Sequence, residues 1–127
     1  MIDPITATKT VHELAGIAKG LYDYINDVKT APKRARELRE MLSHVLLLLN
    51  PLREVLTAKS TIEVPLESAI MEFEKILKDM QAEVDESKVK GIKRVTWPFN
   101  KDVKNRLSSM IEKYKGTFQM ALSLKTS

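Results

Sequence analysis

The sequence predicts an all-α fold, an antiparallel four-helix bundle with long helices, and three observations lead there. First, 127 residues contain only four glycines and five prolines, too few for the turn every 8–12 residues or so that a sandwich or barrel of short strands needs. Second, the prolines divide the chain into four segments, because proline suits the first helical turn and disrupts a helix interior. Third, apolar residues in each segment recur at steps of three and four, the spacing of one helix face. The length suits one domain, taken as residues 1–127, and is too short for two ordinary domains with a linker.

In the first segment Asp3 is placed to cap and Pro4 to enter the first turn. Val11, Leu14, Ala18, Leu21, Ile25 and Val28 follow as one stripe. Thr30-Ala31-Pro32 then closes this helix and opens the second, with Thr30 as the cap. Leu38, Met41, Leu42, Val45, Leu48, Leu49, Leu52, Val55 and Leu56 continue in phase. Residues Val45 to Leu49 are apolar without interruption, so this helix is expected to be buried on more than one side and to form the centre of the bundle. Pro51 lies inside the pattern and is expected to kink it, since it lacks a donor and crowds the carbonyl four residues back.

A short polar connection, Lys59 to Val64, leads to Pro65 and the third helix, whose apolar face is Leu66, Ala69, Ile70, Phe73, Ile76, Leu77, Met80 and Val84. The period is lost from Asp85 to Phe99. Gly91 and Pro98 mark a loop there that also holds the single tryptophan. Asn100 is expected to cap the fourth helix, with Asp102 set favourably against the helix dipole. Val103, Leu107, Met110, Ile111, Tyr114, Phe118, Ala121 and Leu122 supply its stripe. Short connections are expected to place consecutive helices side by side.

Composition removes several function classes. Zero cysteines exclude a disulfide framework, a thiolate nucleophile and any cysteine-type zinc site. The N-terminus has no basic region followed by an apolar run, and the longest uncharged stretch, Met41 to Leu52, is shorter than the roughly 20 residues of a spanning helix. A soluble, cytoplasmic resting form is expected. His12 and His44, the only histidines, fall on different helices, and Ser43-His44 are sequence neighbours that point about 100° apart, so neither a metal site nor a nucleophile–base pair is expected. There is no glycine-rich phosphate loop. No enzyme, metal or cofactor is expected.

Charge is uneven. Residues 61–86 carry eight acidic and two basic side chains, whereas residues 87–127 carry ten basic and two acidic ones. One reading is mutual complementation of neighbouring helices across solvated faces. The sharper reading is that Lys88, Lys90, Lys93, Arg94, Lys101 and Lys104, around Trp97 and Phe99, form a patch for anionic lipid headgroups; each basic residue contributes on the order of 1 kcal/mol there and an indole suits the interface. Nucleic acid is not expected as a partner, because no recognised binding motif accompanies the patch.

Several strings carry a resemblance. Asp3-Pro4-Ile5 before an Ala/Gly/Leu-containing helix, Lys29-Thr30-Ala31-Pro32-Lys33, Thr96-Trp97-Pro98-Phe99 running into a charged helix, and Tyr114-Lys115-Gly116-Thr117-Phe118-Gln119-Met120-Ala121-Leu122 resemble the HeLo-like domain. That domain stands at the N-terminus of fungal NLR-type (STAND) receptors and of amyloid-controlled cell-death proteins. It is similar to the executioner bundle of the mixed-lineage kinase-like necroptosis pseudokinase, where a leucine-rich helix also runs into a proline, as Leu46 to Leu52 do here.

The resemblance implies a programmed-cell-death effector that oligomerises and disrupts or permeabilises the plasma membrane, triggered by a C-terminal amyloid motif or nucleotide-binding module. It further implies a membrane-active first helix, for which Ile5, Val11, Leu14, Ile17 and Leu21 are the candidates. Here Lys9, His12, Glu13 and Lys19 interrupt that helix. A charge at mid-bilayer costs about 3 kcal/mol on insertion scales, so an interfacial helix or a wet, collectively lined pore is expected rather than a single span. The alternative from another class is a helical protein–protein interaction module, acting by homotypic association without touching lipid.

Overall fold

In the computed structural model, helix α1 spans Pro4–Asp27, α2 Lys33–Thr57, α3 Val64–Val89 and α4 Lys101–Ser123. The structure describes residues 3–27, 33–58, 61–89 and 101–123, with the backbone alone at residues 34, 86–89, 101, 103, 104 and 123. No strand occurs among them.

Asp3 begins α1 as the sequence predicts. The Thr6 N–H donates to Asp3 Oδ1 at 2.8 Å and the Thr6 hydroxyl to Oδ2 at 3.0 Å, satisfying a donor that the first turn would otherwise leave open. Pro4 lacks an N–H where none is needed. The expected caps Thr30 and Asn100, together with Val28, lie outside the described residues. Helix α2 runs through Pro51 to Thr57. Helix α3 extends beyond the sequence reading, continuing past Asp85 to Val89. The apolar period stops at Val84, but backbone hydrogen bonding needs no buried face.

Buried residues of all four helices form one core cluster, which also takes in Ile62 from the α2–α3 connection. Its aromatic centre joins α3 to α4. The Phe73 ring lies 5.5 Å from Phe118 and 6.3 Å from Tyr114 between centroids, tilted by 48° and 58°, arrangements that aromatic quadrupoles favour.

Two expectations about α2 are corrected. Of the run Val45 to Leu49, only Val45 and Leu49 are buried, Leu46 and Leu48 are half-buried, and Leu47 is 70% exposed. Five consecutive residues sweep the whole circumference of a helix, so a helix packed on two neighbours must turn one of them outward. Nor is α2 central. It packs on α1 and α4, and α3 packs on the same two; among the described residues, no Cα of α2 lies within 8 Å of one in α3, nor any of α1 within 8 Å of one in α4. The helices therefore occupy the corners of a square in the order α1, α2, α4, α3.

Contacts give directions within each hairpin. Arg39 Nη1 donates to Asn26 Oδ1 at 2.8 Å, and Arg53 meets His12, so α1 and α2 run antiparallel. Lys113 pairs with Glu72 at 3.6 Å and Arg106 with Asp79 at 3.7 Å, and so do α3 and α4. The α2–α3 connection spans the diagonal rather than joining neighbours. Six residues between Thr57 and Val64 reach at most about 25 Å, which covers a diagonal of about 11–14 Å but not the length of a helix. The start of α3 is thus held at the end of the bundle where α2 finishes, and Ile62, 3% exposed, anchors the crossing.

Candidate interaction surfaces

The connectivity produces two unlike poles. At one, α1 ends, α2 begins, α3 ends and α4 begins. Both of its junctions are basic: residues 28–36 carry four basic and no acidic side chains, and residues 86–104 carry six and two. Lys33 and Arg36 are exposed there. Of the expected lipid patch, Lys90, Lys93, Arg94, Trp97 and Phe99 lie outside the described residues, and Lys88, Lys101 and Lys104 are described by backbone alone. Val89 and Lys101 nevertheless place both anchor points of that segment at this pole.

The opposite pole gathers the start of α1, the end of α2, the start of α3 and the end of α4. Three of the five exposed large apolar side chains among the described residues sit there: Ile5, Val64 and Met120, at 72%, 66% and 69% exposure. The candidates for a membrane-active first helix consequently divide. Ile5 is exposed at this pole, whereas Val11, Leu14 and Leu21 are buried core residues and Ile17 is half-buried against that core. Helix α1 has 24 residues, about 36 Å, so Ile5 and the basic pole face away from each other in this packing.

Between the poles, two grooves follow the hairpins. One, of about 780 Å³, is lined by Glu72, Lys75, Asp102, Arg106 and Lys113 among others and is crossed by the α3–α4 ion pairs. The Lys113 ammonium stands 5.0 Å from the Tyr114 ring centroid. A hydrogen bond with Tyr114 and attraction from Glu72 hold its pKa above the usual lysine value. These partners are about 45–63% exposed, which makes them weak contributors to stability.

The other groove, of about 750 Å³, runs between α1 and α2 over Ala15 and Gly16, with Leu46, Leu47 and Tyr22 as apolar lining and Lys19, Asp23 and Arg53 as charged lining. The Arg53 guanidinium donates to His12 Nδ1 across its end. The sequence reading missed this groove. Its signal was the Val45 to Leu49 run, whose Leu46 and Leu47 fall outside the apolar stripe of Val45, Leu48 and Leu49 and wrap past the buried arc.

Among the described residues there is no group of three or more His, Asp or Glu side chains that could hold a metal ion, and no helix long and apolar enough to cross a membrane. His44 faces a shallow groove with Glu37, Glu40 and Glu112, apart from His12.

No curated protein and no solved structure significantly matches the chain. The family model described as "Pigment biosynthesis cluster protein PigL N-terminal" does match it, over residues 2–126, and the chain belongs to that family.

Proposed function

We propose that this bundle is a non-enzymatic effector module of the HeLo-like type, which oligomerises, attaches to anionic phospholipid at the plasma membrane and permeabilises it in programmed cell death. The observation that carries the reading is the basic pole: the end of α1, the start of α2, the end of α3 and the start of α4 gather there, Lys33 and Arg36 are exposed at it, and the sequence stretches 28–36 and 86–104 that join these helices carry ten basic and two acidic residues. A basic pole of this kind meets a flat anionic surface end-on, and Trp97 and Phe99, in the sequence stretch that joins α3 to α4, are residue types that suit the interfacial layer. The family is described as the N-terminal part of a pigment biosynthesis cluster protein, which suits a module clustered by a C-terminal nucleotide-binding or amyloid region. Clustering multiplies weak headgroup contacts into firm attachment. Release of α1 from the core would then supply the apolar surface for disruption, since Val11, Leu14 and Leu21 are hidden in the bundle.

The test is vesicle sedimentation and dye release with the chain fused to an inducible dimeriser. Binding to phosphatidylserine or phosphoinositide vesicles above neutral ones, release on dimerisation, and loss of both in Lys33→Glu/Arg36→Glu support the reading. Equal binding to both vesicle types with no release overturns it. A homotypic interaction module without lipid action is the second reading, favoured by the exposed Leu47 beside the α1/α2 groove.

A further inference from the structure

We infer that the α1/α2 groove is a self-pairing face, through which two copies of this chain associate about a two-fold axis with Leu47 of each seated over Gly16 of the other. This deepens the assembly step of the proposed function and rests on it only there. Gly16 and Gly20 stand one turn apart on α1, both exposed, and a Cβ built on either meets no atom within 4 Å. Packing within the bundle therefore does not require them, although glycine in a helix interior is unfavourable. What the glycines do provide is a flat strip beside the groove, shallow enough for a neighbouring side chain to reach the α1 backbone.

The same face carries the side chain to fill it. Leu47 is 70% exposed and lines the groove together with Gly16. A projection and a depression on one face are what a two-fold, isologous contact needs, because each copy offers both.

Charge gives the second argument and selects the occupant. Lys19 and Asp23, four residues apart, also line the groove, and neither has a hydrogen-bond or ion-pair partner among the described residues. One unpartnered charge of each sign on the rim is self-complementary: under a two-fold operation, Lys19 of one copy approaches Asp23 of its partner and the reverse. An anionic membrane would meet Asp23 unfavourably, and a strongly basic or acidic partner would leave one of the two charges opposed.

Sedimentation equilibrium of the full chain over a range of concentrations tests the inference, with circular dichroism to verify folding of each variant. A monomer–dimer equilibrium is expected. Leu47→Glu should weaken it by about 10- to 100-fold, the factor corresponding to loss of one buried leucine. Gly16→Leu, whose side chain projects into open space in the single chain, should weaken it similarly while keeping the helix content. Lys19→Glu and Asp23→Lys should each weaken pairing, and the double exchange should restore it. A chain monomeric at all concentrations, or a double exchange no better than the single ones, overturns the inference. Loss of vesicle binding in Leu47→Glu with pairing unchanged also overturns it, by assigning the face to lipid. Vesicle binding of the parent chain is read separately, so failure of the membrane reading and failure of this one are distinct results.

Discussion

Asp3 illustrates how a single side chain ties local structure to solution behaviour. Hydrogen bonds from Thr6, its backbone N–H first and its hydroxyl second, favour the Asp3 carboxylate and lower its pKa below the ordinary 3.8. A group that holds its proton less tightly in the folded state contributes stability above the unfolded value, and loses it as pH falls through the folded value. Asp3→Asn, which keeps a capping oxygen but cannot titrate, should therefore flatten the acid limb of the stability curve, while Asp3→Ala should lower stability at neutral pH; urea titrations at pH 7 and below pH 4 separate the two. Phe73 is the opposite kind of residue, 1% exposed and wedged against Phe118 and Tyr114. Phe73→Ala should cost about 3–5 kcal/mol in the same titration through the cavity it leaves. Both residues are legible in the sequence, Asp3 by its place before Pro4 and Phe73 by its place in a regular stripe. Leu47 is legible only in part, for it falls outside the stripe of Val45, Leu48 and Leu49 while the uninterrupted apolar run around it points to burial on more than one side.

At the scale of the helix, periodicity located all four elements but not all of their limits. Helix α3 carries on to Val89 after its apolar stripe ends, since the backbone hydrogen-bond ladder does not itself require a buried apolar face. The exposed helical glycines add a testable point. A Cβ at Gly116 meets no atom within 4 Å, so Gly116→Ala should stabilise α4 and raise the unfolding free energy by about 0.5–1 kcal/mol in thermal or urea denaturation. A decrease instead would mean that α4 needs the bare backbone at that position. Pro51 does not end α2, which continues through six further residues to Thr57, with Leu52, Val55 and Leu56 buried in the core.

For the whole molecule, the decisive feature is the diagonal crossing between α2 and α3. Were consecutive helices all neighbours, this loop would be free to shorten. Instead it has to span about 11–14 Å. Deleting residues 58–61 leaves two residues with a reach of about 11 Å, and the chain should then fail to close its core as a monomer. A loss of cooperative thermal unfolding, or a swapped dimer by light scattering, is expected; a stable monomer with an unchanged midpoint would show that the crossing is not required. The crossing also sets the two poles, placing the end of α1, the start of α2, the end of α3 and the start of α4 together and leaving Ile5, Val64 and Met120 at the far end.

The sequence by itself determined the helical class, the four elements, the identity of most of the core and the uneven charge, because these depend on residue spacing and composition along the chain. Tertiary structure decided which helices touch, which leucine of the α2 run meets solvent, that Val11, Leu14 and Leu21 lie inside while Ile5 does not, and that the basic junctions share a pole. Those outcomes depend on the arc of each helix that two neighbours can cover and on the span a short connection can reach. Both are properties of the packed molecule and are absent from a one-dimensional pattern.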